Sequence, residues 1–336
     1  MKRVMVLVAL VSAVAPVSGC LLTPPIPIGG GGKTAGQRQR ETLSKMLPAQ
    51  LTVSSRWQGE VRVAKLRVWA DDAYRAQNVR WQHTFEDQLD GANQVLIPML
   101  GVRLEAEYRT WEHHVPGGTL SDHLAALIQQ DPGDDVVWVV GLTSSLSLLS
   151  PTFEQLGIAQ VGAPHLVLRG YADLEERKAF ERAFPDTDRR EREIVHEARR
   201  RHKTTTVLLH ELAHSLGALH EAESDKVMSP LYSHLAAAIG NANRELMLLV
   251  LADRLAPAAQ RDPHAAAQRL LAVLEDERPG WVADERAEAI ERLRGQLGTG
   301  PSAGISAPIP AEVEAQYKRA EQLLARGDHR GARAEL

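Results

Sequence analysis

Positions 210–220 read His-Glu-Leu-Ala-His-Ser-Leu-Gly-Ala-Leu-His, a spacing typical of a metal-binding helix. Residues four positions apart on an α-helix differ by about 40° around the axis and about 6 Å along it. His210 and His214 therefore face one point, where two imidazoles can bind the same ion. Gly217 lets the chain leave the helix through a backbone conformation that side chains resist, and this turn can bring His220 back as a third ligand.

Three histidine ligands are typical of a catalytic zinc site, because they leave the fourth coordination position for water. Zinc lowers the pKa of such a water towards about 7 and polarises a scissile carbonyl. Glu211 lies about 100° around the helix from the first ligand, where its carboxylate can reach that water without binding the metal. The pattern predicts that Glu211 activates the zinc-bound water and delivers the proton to the leaving amine. A helix with incidental histidines is the alternative.

The composition of the 336-residue chain narrows the possible partners and sites. Lys and Arg number 39 and Asp and Glu 43, so the net charge of −4 is too near neutral to favour nucleic acid as a partner. Cys20 is the single cysteine of the sequence, which excludes an intramolecular disulfide and a zinc site built from several thiolates. Any metal is therefore expected on histidine or carboxylate ligands.

The first twenty residues are typical of an export signal. Lys2 and Arg3 precede an apolar run at positions 4–15, which is too short to cross a hydrocarbon core of about 30 Å as a helix. The small residues before Cys20 resemble the lipobox of bacterial lipoproteins. The resemblance implies a signal peptide at 1–19, acyl chains on the cysteine, and anchoring to the outer membrane or cell surface of a bacterium. A secreted protein with an incidental cysteine is the alternative.

The body of the chain mixes strand and helix patterns and then becomes purely helical. Strands are predicted at 61–70, 102–111 and 136–142, with one more or a pair in 157–170, and helices at 85–100, 120–130, 236–255, 264–275 and 283–297. A turn is expected at Asp71-Asp72, and Ser121 or Asp122 as the cap of the helix at 120–130. The order β, α, β, α, β, β followed by helices predicts an α+β fold.

A highly charged stretch at positions 173–203 ends in the basic cluster 199–203. A charge run of this kind most often forms a solvated helical face. A basic docking surface for anionic lipid or an acidic partner is the alternative.

The segment 210–220 resembles the metzincin clan of zinc peptidases, whose pattern H-E-x-x-H-x-x-G-x-x-H is matched at all five fixed positions. The resemblance implies a twisted mixed sheet over helices, one catalytic Zn²⁺ ion on His210, His214 and His220, and Glu211 as the general base.

The clan also has a methionine turn beneath the metal. Met228 lies eight residues after His220 and is followed by Pro230, a spacing most like that of the matrixin branch. The resemblance implies that Met228 forms the floor of the site. Glu221 stands where matrixins usually have serine, which leaves the branch open. Tyr232 matches a tyrosine that assists at the metal in some branches, or it is a packing residue.

In this clan a substrate peptide pairs with an edge strand above the metal. The resemblance implies an edge within positions 158–168, with Ala163, Pro164 and His165 nearest the cleft. Pro164 favours an irregular or edge position, because proline cannot donate a ladder hydrogen bond.

Six segments follow from these patterns. They are a signal peptide at 1–19, the lipidated Cys20 with a flexible linker to 50, a metzincin-like zinc peptidase domain at 51–235, a helical extension at 236–298, a linker at 299–310, and a hairpin at 311–336 that resembles a tetratricopeptide unit. A single such unit cannot bury a core alone, so it is expected to bind a protein partner or to pack on the catalytic domain.

Together these features predict an exported, lipid-anchored zinc endopeptidase that hydrolyses extracytoplasmic proteins. Two other functions remain open from the sequence. One is a lipid-anchored binding or scaffold protein with an inactive zinc site, and the other is a zinc amidase acting on cell-wall crosslinks.

Overall fold

The computed structural model describes residues 33–112, 119–146, 156–171, 173–276 and 278–298. The predicted signal peptide, Cys20, the predicted linker at 299–310 and the predicted hairpin at 311–336 lie outside the described residues. In the part of the chain that is described, no helix combines the length and the apolar composition that a membrane crossing requires.

A five-stranded mixed sheet is the centre of the fold. Its strands are β1 (Arg62–Asp71), β2 (Val102–Trp111), β3 (Trp138–Leu146), β4 (Gly157–Ala159) and β5 (His165–Tyr171). They lie in the order β2-β1-β3-β5-β4. The pairs β1–β2, β1–β3 and β3–β5 are parallel, and β4 is antiparallel to β5.

Nine helices are assigned in the described ranges. They are α1 (Ala35–Ser44), α2 (Asp72–Gln77), α3 (Trp81–Leu100), α4 (Leu120–Gln130), α5 (Asp173–Ala183), α6 (Arg189–Ser215), α7 (Asn241–Leu255), α8 (Pro263–Glu275) and α9 (Ala283–Gln296). The predicted α+β class, with a mixed sheet, a helix carrying the histidine motif and a helical extension, is confirmed.

Helices cover both faces of the sheet. Alternate residues of β1, such as Leu66 and Val68, join the main core with Phe85 of α3 and Leu208 of α6. On the other face, α4 packs through Leu127 in a second, smaller core. The period-2 pattern of the strands and the 3.6-residue pattern of the helices therefore place their apolar faces in contact.

Two local predictions were wrong. The expected turn at Asp71-Asp72 is instead the start of α2, because the Asp71 carboxylate accepts the Tyr74 N–H at 2.6 Å and caps the helix. The cap of α4 is Thr119. Its hydroxyl accepts the Asp122 N–H at 3.2 Å, and the Asp122 carboxylate accepts the Thr119 N–H at 2.8 Å, which makes a reciprocal capping box.

The folded part begins earlier than the expected start near Leu51. Helix α1 lies in the stretch predicted as linker, and Leu43 is buried with Phe180, Phe184 and Val195. Leu43 packs the helix against α5 and α6, and Arg40 of the same helix forms an ion pair with Glu191 of α6.

The charged stretch at 173–203 forms α5 and the first half of α6, and only part of it is a solvated face. Arg201 is exposed, and it and Arg200 form ion pairs with Glu197. His202 and Lys203 are buried. The basic cluster is therefore divided between the surface and the interior.

Candidate metal centre

Helix α6 presents His210 and His214 on its last two turns and ends at Ser215. Gly217 has a φ of +83°, a left-handed conformation that favours glycine. Its N–H donates to the His214 carbonyl at 2.8 Å, and the next N–H donates to the Ala213 carbonyl at 3.0 Å. These bonds close the end of the helix and turn the chain back, as the sequence predicted for this glycine.

The three predicted ligands meet at their Nε2 atoms. The Nε2–Nε2 distances are 3.0 Å for His210 and His214, 3.2 Å for His214 and His220, and 3.3 Å for His210 and His220. Zn–N bonds of about 2.0–2.1 Å in a tetrahedron separate ligand nitrogens by about 3.3–3.4 Å. The cluster therefore matches three corners of a zinc tetrahedron to within a few tenths of an ångström.

Each ligand ring also has an acceptor at its Nδ1 atom. His210 Nδ1 donates to the Val227 carbonyl at 2.8 Å, and His214 Nδ1 to the Ala218 carbonyl at 2.9 Å. His220 Nδ1 lies 2.7 Å from Glu285 Oε1. A carbonyl only accepts, so the Nδ1 atoms of the first two rings carry the protons and their Nε2 lone pairs point inward.

The electrostatics of the cluster favour neutral rings. Burial, and then the nearby His214, lower the pKa of His210 well below its usual range. Burial, with the repulsion of His220, lowers the pKa of His214 to about 4. Neutral imidazoles with converging lone pairs repel one another unless a cation lies between them. The donor set therefore fits one zinc ion held by His210, His214 and His220.

Glu211 is buried beside the first ligand and faces the edge strand. A Cβ built on Gly157 of β4 would lie 2.6 Å from Glu211 Cγ and 2.7 Å from Oε1, so this glycine makes room for the carboxylate. Burial raises the pKa of Glu211 well above its usual range. A divalent cation nearby would act in the opposite direction, because it favours the ionised carboxylate.

Met228 is fully buried in the main core, after the residue whose carbonyl binds His210. Its own carbonyl accepts the Glu221 N–H at 2.8 Å. The methionine segment therefore contacts the ligand loop through its backbone, while the role of its side chain as the floor of the site stays a prediction.

Two neighbours of the motif have structural contacts. Glu221 is buried, and its carboxylate accepts the Gly240 N–H at 3.0 Å. The Tyr232 hydroxyl lies 3.1 Å from His202 Nδ1, and its ring packs against Lys203. These contacts favour the packing role of Tyr232.

The predicted substrate edge needs correction. Among the described strands the edge is β4, whereas His165 begins β5, which pairs with β3 on one side and β4 on the other. His165 is buried and its Nε2 binds the Asp131 carbonyl at 2.6 Å. The Pro164 carbonyl accepts a ladder hydrogen bond from Val139.

The turn that contains Ala163 is near the site, because the Gly162 N–H donates to the His214 carbonyl at 3.2 Å.

Several residues that hold the site were missed by sequence reasoning, and all lie in the helical extension. Asn243 hydrogen-bonds both backbone groups of Leu219, and Glu285 binds His220. Arg254 donates to the carbonyls of Ser215 at 2.6 Å and Gly162 at 3.0 Å, which joins the end of α6 to the turn after β4. No spacing relates these residues to the histidine motif, so the sequence carries no signal for them.

Two solved structures align with part of this chain. The archaemetzincin from Methanopyrus kandleri aligns with a TM-score of 0.37 and 17% identity over 56% of this chain and 96% of its own. Metalloproteinase-II from Bacteroides fragilis aligns with a TM-score of 0.36 and 11% identity over 63% of this chain and 60% of its own. No protein-family model matches the sequence, and no curated protein matches it.

Proposed function

We propose that the chain is a zinc-dependent endopeptidase. The observation that carries the proposal is the convergence of three histidine Nε2 atoms within 3.3 Å of one another, each ring being held at its Nδ1 atom. An acceptor at the other ring nitrogen is typical of metal-ligating histidines, because it fixes the tautomer and the orientation of the ring. Three ligands leave one position for a reactant, as in catalytic zinc sites.

Zinc, when bound, would acidify a water molecule and polarise the carbonyl of the scissile bond. Glu211 would take a proton from the attacking water and pass it to the leaving amine, the role of a general base that then acts as an acid. Its place next to His210 on α6 supports this role. Gly157 leaves space for the carboxylate on the other side.

A substrate peptide would pair with β4. This strand is at the edge of the sheet among the described strands, and α6 packs directly against it. Backbone pairing with an edge strand would lay an extended peptide past Glu211, since Gly157 belongs to this strand and contacts that side chain. Pairing with β4 would use the backbone of the substrate and would not require a chain end. The proposed cleavage is therefore internal, as by an endopeptidase.

The cellular setting is part of the same proposal. The basic start, the short apolar run and the small residues before Cys20 support export and lipid anchoring to a bacterial outer membrane or cell surface. The substrates would then be extracytoplasmic proteins. The spacing from His220 to Met228 supports a matrixin-like active site. The hairpin predicted at 311–336 would bind a protein partner.

One comparison tests the chemistry. The protein and its Glu211→Gln variant are incubated with an unbiased peptide library, cleavage sites are mapped by mass spectrometry, and the zinc content of both proteins is measured. Cleavage by the wild type alone, with one zinc in each protein, supports the endopeptidase. We expect Glu211→Gln to fold like the wild type, because glutamine has the size of glutamate.

Other outcomes separate the alternatives. Zinc in both proteins without cleavage of any peptide favours the binding or scaffold role. Release of amines from cell-wall crosslinks, without cleavage of the library, favours the amidase. Folded protein that binds no zinc would contradict the site itself. The lipid anchor is tested separately, since Cys20→Ser is expected to abolish incorporation of labelled fatty acid and membrane partition.

A further inference from the structure

We propose that Glu285, in the helical extension, is a positioning residue of the metal centre. It would hold His220 in the orientation and tautomer in which Nε2 binds zinc, so that the extension completes the site. The inference rests on the proposed function, because it requires that the three histidines bind zinc.

The contact between the two residues is bidentate. Glu285 Oε1 lies 2.7 Å from His220 Nδ1, and Oε2 accepts the His220 backbone N–H at 3.1 Å. An ionised carboxylate only accepts hydrogen bonds, so Nδ1 carries the proton and the lone pair of the ring is on Nε2. The two bonds define the rotation of the ring as well as its tautomer.

His220 needs this support more than the other two ligands do. His210 and His214 belong to a helix, whereas His220 lies in the loop after Gly217. The Nδ1 atoms of the other two rings bind backbone carbonyls, whereas that of His220 binds a charged side chain. A carboxylate makes the stronger, charge-assisted bond and raises the basicity of the ring that it holds.

Backbone hydrogen bonds between segments 280–282 and 220–222 place Glu285 beside His220. The Val282 N–H donates to the His220 carbonyl at 2.9 Å, and the Ala222 N–H to the Gly280 carbonyl at 2.8 Å. Glu221 and Trp281 form an antiparallel bridge between these bonds. Helix α9 begins at Ala283, so Glu285 lies in its first turn, directly beyond a short ladder that includes the ligand.

The test measures zinc affinity rather than activity alone. Zinc dissociation constants of the full chain and of Glu285→Gln and Glu285→Ala are determined by competition with a chromophoric chelator. Visible spectra of the Co²⁺-loaded proteins report the ligand geometry. The matched control is Glu288→Gln, which makes the same charge change at an exposed position one turn along the same helix. Melting temperatures of the metal-free proteins report folding.

We expect Glu285→Ala to raise the zinc dissociation constant by about 10- to 100-fold, the usual effect of losing such a partner. Glu285→Gln keeps one acceptor and should show a smaller increase. The metal-free melting temperatures should change little, because the Glu285 side chain is 37% exposed. If the alanine variant does not fold, the isosteric glutamine variant decides the question.

Two results would contradict the proposal, and they differ in what they leave standing. If wild type binds zinc and cleaves peptides, and both Glu285 variants bind zinc as tightly as Glu288→Gln, the positioning role is wrong and the proposed function stands. If the wild type binds no zinc, the proposed function fails and this role fails with it.

Discussion

Asn243 of α7 binds both backbone polar groups of Leu219, the residue before the third histidine. Its Oδ1 accepts the Leu219 N–H at 2.9 Å, and its Nδ2 donates to the Leu219 carbonyl at 2.8 Å. The same Oδ1 accepts the indole N–H of Trp281 at 2.9 Å. One buried amide therefore joins the ligand loop, α7 and the segment before α9.

Replacing Asn243 by alanine should destabilise the protein and weaken zinc binding. Three buried polar groups would lose their partner, and each unsatisfied group costs about 1–3 kcal/mol. We expect a loss of at least about 2 kcal/mol in the free energy of unfolding, measured by chemical denaturation. The control is Asn241→Ala, which removes an exposed amide at the start of the same helix that accepts one hydrogen bond, from the Ser54 hydroxyl. Equal stability of the two variants would contradict the linking role of Asn243.

Removal of zinc should lower the melting temperature of the protein. The three Nε2 atoms lie within 3.3 Å of one another, and their lone pairs repel without a cation. A metal that binds only the folded state stabilises it by about 2.7 kcal/mol at a free concentration one hundred times its dissociation constant. Calorimetry with and without a chelator measures the shift, and zinc should restore it. The His214→Ala variant should show no response to either treatment.

Gly157→Ala should reduce peptide cleavage and leave zinc binding intact. The added Cβ would lie 2.6–2.9 Å from three atoms of the buried Glu211 side chain, which would have to move away. Misplacement of a catalytic group by about 1 Å can cost about 100-fold in rate. We expect kcat/KM to fall at least about tenfold. Gly295→Ala adds a methyl group in open space on α9 and should cleave normally. Normal cleavage by both variants would contradict this placement of the carboxylate.

His202 should make the protein less stable in mild acid. Burial is the main cause of its lowered pKa, and the charges of His234 and Arg199 add to it, while the bond to the Ala236 carbonyl opposes it. The unfolded chain then binds this proton more readily than the folded chain. Stability from this group is therefore complete above the ordinary histidine pKa of about 6.5 and is lost as pH falls through the lower, folded-state value.

The test compares unfolding free energies of the wild type and His202→Gln between pH 7.5 and 5. All other histidines are the same in the two proteins, so the difference between the two curves isolates His202. We expect the wild type to lose stability faster, by at most about 1.4 kcal/mol per pH unit. Parallel curves would show that this histidine titrates alike in the folded and unfolded states.

Local patterns determined much of this fold in advance. The strand β2 and the helix α4 occupy their predicted ranges, 102–111 and 120–130. Both depend on side-chain periodicity, which a short window of sequence contains. At Asp71 the sequence did not distinguish a turn from the start of a capped helix, because aspartate favours both structures.

Some residues of the metal centre could be predicted from the sequence and others could not. His210 and His214 could be paired from sequence because helical geometry relates positions four apart. The role of Gly217 could be predicted because the turn needs a residue that adopts a left-handed backbone conformation. Glu285 and Asn243 could not be found, since they reach the ligand loop from 65 and 24 positions away. Contacts across such distances depend on how the helices pack, and that packing leaves no periodic signal.

The sequence by itself determined the donor set and the candidate base, because both lie within eleven residues of helix and turn. Only the tertiary structure decided that β4 rather than β5 is the edge among the described strands, and that the helical extension holds His220. The physical reason is one of range. Backbone geometry relates near neighbours along the chain, whereas strand order and the contacts of the extension with the ligand loop depend on the burial of apolar faces from distant segments.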